Sequence, residues 1–168
     1  LERAIGKQYK KCFITYIHNK HFEDTDNLYS LYLARDEVTD GMVFFNADTV
    51  FHQDIVRHFV ASPFADAFLF ERGRRDEINP LAVYEHKGRL VEIGHTISGD
   101  MHGIAPGMYK FSQPTCEAYF KEAGKFFING PRKGGFAVPL QEIASKIHIN
   151  TVSSKDERWI NIHKLHKI

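Results

Sequence analysis

Asp48 is the residue whose position points most clearly to chemistry. It follows the apolar run MVFF at 42–45, which is typical of a buried strand, and Asn46 lies between them. In α/β folds a carboxylate at the end of such a strand lies at the sheet edge where ligands bind. Mg²⁺ prefers carboxylate and phosphate oxygens, so Asp48 is a candidate metal ligand and catalytic residue. Helix capping is the alternative role, because a predicted helix follows.

Histidines provide further candidates. His95 lies in the loop IGHTI, where a cation could approach a phosphate or a carboxylate; an ordinary surface position is the alternative. His163 and His166 have the spacing of a helical metal pair, but they lie in a Lys-rich tail, and a frayed terminus is the alternative. A metal-dependent hydrolase built on the ten histidines rests on their number alone.

Phosphate-binding signals are weak in this sequence. It contains no Gly-x-Gly, and therefore no glycine-rich loop of the kind that holds phosphates. Arg132 and Lys133 precede two glycines, which let backbone N–H groups approach an anion. An anion-binding loop and a solvated charged loop are both compatible with this pattern.

The composition is that of an ordinary soluble domain. The 168 residues suffice for one buried core, and a net charge of +1 argues against binding nucleic acid or membranes through bulk charge. The sequence shows no secretory signal and no run of the roughly 18 apolar residues that a membrane helix needs. Cys12 and Cys116 are expected to be buried thiols in a reducing cytoplasm. These features predict a cytoplasmic protein.

Strand and helix patterns alternate along the chain. We predict strands at 11–17, 42–45, 66–70, 81–84, 89–93, 108–111 and 158–162, and helices at 27–37, 52–61, 113–127 and 138–147. Lys87 and Gly88 mark a hairpin turn. The alternation favours an α/β fold with three layers and a mainly parallel sheet, into which a small antiparallel hairpin is inserted.

Four stretches follow one another in an order found in a known family. The most specific, at 19–51, reads NKHFEDTDNLYSLYLARDEVTDGMVFFNADTVF, and Asn27, Ser30 and Asp48 fall on its motif positions. GRLVEIGHTI, GIAPGMYKFS and RWINIH are looser matches that gain force from their order. Together they resemble the sugar-phosphate nucleotidyltransferase family, which has a glycosyltransferase-A-like fold, and in particular its phosphocholine cytidylyltransferase-like subgroup.

This resemblance implies a nucleotidyl transfer. A phosphate monoester or phosphonate, such as phosphocholine or a sugar 1-phosphate, would attack a nucleoside triphosphate, with CTP favoured, and release pyrophosphate. Asp48 would hold Mg²⁺, or alternatively Mn²⁺, and His163 takes the position of the second metal carboxylate. Tyr84 and Tyr109 could contact a quaternary amine by cation–π interaction, with core packing as the alternative. The substrate-binding candidates are Asn27, Ser30, Asn46, His95 and Tyr109.

Three departures separate this chain from the family it resembles. The family's glycine-rich loop is expected before Leu1, His95 replaces a lysine, and His163 replaces a carboxylate. Imidazole is a poor ligand for Mg²⁺ but acceptable for Mn²⁺ or Zn²⁺. We therefore expect one nucleotidyltransferase-like domain, 1–168, without its first βα unit; a catalytically degenerate nucleotide-binding or interaction domain is the alternative. A homo-oligomer or a partner chain would then complete the sheet.

Overall fold

The computed structural model describes residues 2–73, 80–154 and 158–162. Its α-helices are α1 (Glu2–Ile5), α2 (Asn27–Leu33), α3 (Gln53–Val60), α4 (Gln113–Phe126) and α5 (Ala137–Ala144), and a 3₁₀-helix covers Arg35–Glu37. Its strands are β1 (Gln8–Tyr9), β2 (Cys12–Phe13), β3 (Gly41–Phe45), β4 (Thr49–Phe51), β5 (Ala67–Arg72), β6 (Ala82–His86), β7 (Arg89–Gly94), β8 (Gly103–Ile104), β9 (Met108–Ser112), β10 (Asn150–Ser153) and β11 (Trp159–Asn161).

A seven-stranded mixed sheet forms the centre of the fold. Its order is β10-β7-β6-β8-β5-β9-β3, and β10 also pairs with β5, so five strands close into a ring. Among the described strands, β10 and β5 make the one parallel pair of this sheet. The α/β class is confirmed, whereas the mainly parallel arrangement is not. The physical reason is that β9 lies between β3 and β5 and pairs antiparallel with both.

The hairpin between β6 and β7 follows from its turn residues. Lys87 and Gly88 have φ values of 51° and 78°, which a two-residue hairpin turn with positive φ at both positions requires. His86 pairs with Arg89 across this turn. The predicted hairpin is therefore confirmed, and it orients the loop after β7.

Both faces of β5 are buried. Phe68 and Phe70 pack into a cluster with residues of α2, α4 and α5. Ala67 and Leu69 point to the opposite face and pack into a second cluster with residues of α3. Because successive side chains of a strand alternate between faces, one strand holds helices on both of its sides. This packing fixes β5 between helices on both faces of the sheet.

Glu85 is a buried carboxylate that connects several strands. It accepts hydrogen bonds from the Arg72 side chain and, at 2.7 Å, from the backbone N–H of Gly88. Burial by itself raises the pKa of Glu85, but hydrogen bonds from Arg72, Gly88 and His102 outweigh that effect and lower it. The ionised form of Glu85 therefore stabilises the fold.

The N-terminal region differs from its prediction. The expected strand at 11–17 is limited to Cys12–Phe13, which pairs with Gln8–Tyr9 rather than with the main sheet. Phe13 is 87% exposed, and Cys12 is exposed as well, so the expectation of two buried thiols is wrong for Cys12. Cys116 is buried, and both thiols are free. A β-branched, aromatic pattern makes a long strand only where a neighbouring strand pairs with it.

Strand β3 lies at one end of the sheet order. It pairs with β9 on one side, and no described strand pairs with its other side. Val43 and Phe45 are each 40% exposed. The sheet is therefore open at this edge within the described residues.

None of the helices among the described residues is long and apolar enough to cross a membrane.

Candidate functional site

A cavity of about 850 Å³ collects most of the predicted site residues. Those that line it are Asn27, Asn46, Asp48, His95 and Tyr109. Ser30 is not among the lining residues; it is exposed on α2 and accepts a hydrogen bond of 3.1 Å from the Asn19 side chain. His163 lies outside the described residues.

The C-terminal strand brings a second polar side chain to Asp48. Strands β4 and β11 pair antiparallel, with Asn161 opposite Thr49. The Ile162 N–H donates to the Asp48 carbonyl oxygen at 2.7 Å, and Asn161 Nδ2 lies 3.4 Å from Asp48 Oδ2. Thr49 Oγ1 donates to Asp48 Oδ1 at 3.3 Å. Asp48 and Asn161 therefore form one polar cluster although they are far apart in sequence.

Asn46 is held directly over Gly107. Its N–H donates to the Gly107 carbonyl at 2.8 Å, and a Cβ at position 107 would lie 2.5 Å from Asn46 Nδ2. Gly107 also has a φ of +100°, which disfavours any residue with a side chain. Asn46 Oδ1 is buried and has no hydrogen-bond partner among the described residues. Glycine at 107 thus makes room for an amide whose oxygen is left unsatisfied.

Tyr109 is enclosed by aromatic rings. It is 1% exposed, and its ring centroid lies 4.2 Å from that of Phe136, 5.9 Å from that of Phe44 and 6.4 Å from that of Phe68. Its hydroxyl is buried without a hydrogen-bond partner in the described structure, and burial raises the pKa of this hydroxyl, which stays protonated. The rings around Tyr109 fit the core-packing alternative better than cation–π contact. Tyr84 is not among the residues that line the cavity.

Asn27 connects two helices at the cavity wall. Its Oδ1 accepts a hydrogen bond of 3.1 Å from the N–H of Phe136, the residue that precedes α5. The side-chain oxygen therefore fixes the start of α5 relative to α2. Because Oδ1 is used in this way, the Nδ2 group of Asn27 is the one available to contact a substrate.

The loop that carries His95 is held by a carboxylate. Glu92 Oε1 accepts a hydrogen bond of 2.7 Å from the Ser98 N–H, and Glu92 Oε2 accepts one of 3.0 Å from the Gly99 N–H. These bonds lower the pKa of Glu92. His95 Nδ1 lies 3.2 Å from the Pro80 carbonyl oxygen. The loop is thus closed on itself and presents His95 at the cavity.

The described lining of the cavity carries no Lys or Arg. Its carboxylates are those of Asp48 and Glu142. Arg132 and Lys133 are exposed in the loop before Gly135, a lining residue, and the Arg132 guanidinium lies 3.9 Å from the centre of the Phe126 ring. A polyphosphate in the cavity would therefore need positive charge from a metal ion or from this loop.

The donor set at Asp48 fits a partly ligated hard cation. The described residues contain no group of three or more His, Cys, Asp or Glu side chains suited to a metal. However, Mg²⁺ is usually bound by one or two carboxylates, with substrate phosphates and water supplying the remaining oxygens. The Asp48 carboxylate is an oxygen donor of that type at the cavity, and it would hold Mg²⁺ together with phosphate and water oxygens.

Several lining residues were not predicted from the sequence. They are Phe136, Gln141, Glu142, Trp159 and Asn161. Gln141 Oε1 accepts a hydrogen bond of 2.7 Å from the Ile93 N–H, which ties α5 to β7 across 48 positions of sequence. Trp159 Nε1 donates to the Glu71 carboxylate. The alternation within RWINIH, which places Trp159 and Asn161 on the same side of a strand, was the one local signal available.

Comparisons of the sequence with protein-family models and with curated proteins find no match. Among solved structures, the chain is similar to the inositol-1-phosphate CTP transferase from T. maritima, with a TM-score of 0.67 and 18% identity over 86% of this chain and 58% of that chain. It is also similar to the CTP:phosphocholine cytidylyltransferase from Streptococcus pneumoniae, with a TM-score of 0.65 and 16% identity over 89% of this chain and 66% of that chain. The chain spans less than two thirds of either relative. It therefore has the fold of the sugar-phosphate nucleotidyltransferases that its motifs resemble.

Proposed function

We propose that this chain transfers a nucleotidyl group from a nucleoside triphosphate, with CTP favoured, to a small phosphorylated acceptor. The acceptor is a phosphate monoester or phosphonate, such as phosphocholine or a sugar 1-phosphate, and pyrophosphate is released. The observation that carries the proposal is the cavity that joins Asp48, Asn46 and Asn161, in a fold shared with two CTP-dependent transferases.

The reaction needs alignment and charge neutralisation more than proton transfer. An ionised oxygen of the acceptor phosphate attacks the α-phosphorus, a new P–O bond forms, and the bond to the β-phosphate breaks as pyrophosphate leaves. Holding both reactants in line supplies a large part of the rate enhancement. Mg²⁺ supplies charge neutralisation when it is bound. Asp48 is the described residue of this chain that would hold it.

Because the described lining lacks Lys and Arg, this mechanism needs another source of positive charge. Asp48 and Glu142 repel a triphosphate, so nucleotide binding should depend strongly on a divalent cation. Arg132 and Lys133 are the nearest basic residues in sequence to the α5 end of the cavity, and they would approach the phosphates from solvent. His95 would contribute a hydrogen bond or a partial positive charge rather than a permanent one.

The partners follow from the reaction and from the open sheet edge. A nucleoside triphosphate and a phosphorylated acceptor are the small-molecule partners, and nucleic acid and membranes are not. The unpaired edge of β3 supports pairing with a further strand, from a second copy or from a partner chain. We propose the cytoplasm as the location of the reaction, as expected from the sequence.

The test compares two variants that each lose one carboxylate. Asp48→Asn changes the cavity, whereas Asp54→Asn changes an exposed carboxylate on α3 that does not line it. We expect CTP with Mg²⁺ to bind the wild type and Asp54→Asn, and EDTA or Asp48→Asn to weaken binding at least about tenfold. At 100 times its dissociation constant the nucleotide should stabilise the chain by about 2.7 kcal/mol, which is about 5–10 °C in Tm. Pyrophosphate release with phosphocholine or glucose 1-phosphate then identifies the acceptor.

The second candidate is a catalytically degenerate nucleotide-binding or interaction domain. The observation that favours it is the acidic, Lys- and Arg-free character of the described lining. In that case Asp48→Asn would leave ligand affinity almost unchanged, and no triphosphate would release pyrophosphate with any acceptor. Metal-independent binding would exclude the enzymatic role of Asp48.

A further inference from the structure

Two buried polar atoms of the cavity residues lack hydrogen-bond partners in the described structure. They are the Tyr109 hydroxyl oxygen and Asn46 Oδ1, and both residues line the cavity. The buried His102 Nδ1 lies outside the cavity, and the Glu85 carboxylate at 3.5 Å is its neighbour. Because about 90% or more of buried polar groups are hydrogen-bonded, two orphaned atoms in one cavity point to a ligand group that satisfies them.

Strands β3 and β9 bring these two groups to adjacent positions. Phe44 is paired with Tyr109, and the Asn46 N–H donates to the Gly107 carbonyl at 2.8 Å. The Phe44 and Tyr109 ring centroids lie 5.9 Å apart, and Asn46 is two residues beyond Phe44. The Asn46 amide lies over Gly107, where a Cβ would come within 2.5 Å of its Nδ2. Both residues line the same cavity.

The chemistry of the two groups selects their ligand. An alcohol donates a hydrogen bond to an amide oxygen and accepts one from a phenol, so a hydroxyl group is complementary to each of them. An ionised phosphate oxygen accepts but does not donate, and would leave Asn46 Oδ1 unpaired. A quaternary ammonium group has no N–H and no lone pair, and satisfies neither. We propose that Tyr109 and Asn46 recognise a hydroxyl group of the bound ligand; this inference rests on the proposed function.

The surroundings of Tyr109 support a hydrogen-bonding role. Phe136, Phe44 and Phe68 surround its ring, which restricts access of a cation to the ring face. The same rings fix the direction of the hydroxyl, which makes this group a specificity determinant rather than a flexible surface contact. A ligand that offers an alcohol at this point gains two hydrogen bonds shielded from water.

Two parts of the reactants carry such a hydroxyl: the ribose of the nucleotide and the polyol of a sugar phosphate acceptor. Binding is measured for CTP and its 2′,3′-dideoxy analogue, and for glucose 1-phosphate and phosphocholine, all with Mg²⁺. Each ligand is titrated into the wild type, Tyr109→Phe and Tyr119→Phe. Tyr119 is the matched control, because its buried hydroxyl donates to the Phe136 carbonyl at 3.0 Å and Tyr119 does not line the cavity.

We expect Tyr109→Phe to lower the affinity for one hydroxylated ligand by about tenfold, since the ligand hydroxyl loses a buried hydrogen-bond partner. A loss with CTP but not with the dideoxy analogue assigns the hydroxyl to ribose. A loss with glucose 1-phosphate but not with phosphocholine assigns it to the acceptor. Tyr119→Phe should leave all four affinities unchanged.

Two results would overturn this inference without affecting the proposed function. In the first, the wild type binds the ligands and Tyr109→Phe binds each of them with the same affinity as the wild type. The other is an equal loss with phosphocholine and the dideoxy nucleotide, which would indicate a distorted cavity. If the wild type binds no nucleotide and no phosphate ester, the proposed function fails, and the inference fails with it.

Discussion

Two buried tyrosines of this chain should respond in opposite ways to the same chemical change. In the ligand-free chain the Tyr109 hydroxyl is buried without a partner, whereas the Tyr119 hydroxyl donates to the Phe136 carbonyl at 3.0 Å. An unsatisfied buried polar group costs about 1–3 kcal/mol, so Tyr109→Phe should raise the free energy of unfolding by about 1 kcal/mol or more. Tyr119→Phe removes a buried hydrogen bond, which should lower it by about 1 kcal/mol.

The measurement is urea denaturation of the ligand-free chain and both variants at neutral pH. The two variants should differ by at least about 2 kcal/mol with unchanged m-values, or by at least about 4 °C in Tm for a chain of this size. A Tyr109→Phe variant that is destabilised as much as Tyr119→Phe would refute the reasoning. It would show that the Tyr109 hydroxyl has a partner in solution, and it would remove the argument that a ligand hydroxyl is required there.

Three further perturbations test other parts of the structure. The hydrogen bonds that lower the pKa of Glu85 below its usual 4.5 add stability above pH 4.5 that is lost as the pH falls through the lower folded pKa. Glu85→Gln should therefore reduce the pH dependence of urea midpoints in acid and destabilise the chain by about 1–2 kcal/mol at pH 7. Gly107→Ala meets Asn46 at 2.5 Å with a φ of +100°, and should lose about 1–3 kcal/mol of stability together with CTP affinity in calorimetry. Glu92→Gln should accelerate hydrogen exchange of the amides at 98–99 while leaving the urea midpoint nearly unchanged, because that carboxylate is exposed to solvent.

Local patterns were sufficient where neighbouring residues decide the structure. Ile55 and Phe59, four positions apart, are both buried, as expected for one face of α3. Lys87-Gly88 predicted the hairpin because the turn requires positive φ values that few residues adopt. Asp48 was found by a rule about strand ends, and the structure places it at the cavity.

Non-local pairing accounts for most of what the sequence did not predict. The run NTVS at 150–153 has little apolar character and becomes β10 because it pairs with β5. The antiparallel insertion of β9 between β3 and β5 has no local signature either. Asn161 reaches Asp48 across 113 positions of sequence. Ser30 was placed at the pocket by a motif position alone, and the face of α2 on which it lies is exposed.

The late position of β10 and β11 in the chain has a consequence during synthesis. Asn150 contacts Asp66 across 84 positions, and Asn161 contacts Asp48 across 113. A ribosome must therefore release almost the whole described chain before β5 gains its parallel neighbour and the polar cluster at Asp48 can assemble. Long-range pairings of this kind slow folding. The apolar strand β5 is synthesised well before β10, and one of its edges is incompletely paired during that interval. Nascent chains of this protein should depend on chaperones that shield such an edge until the last strands arrive.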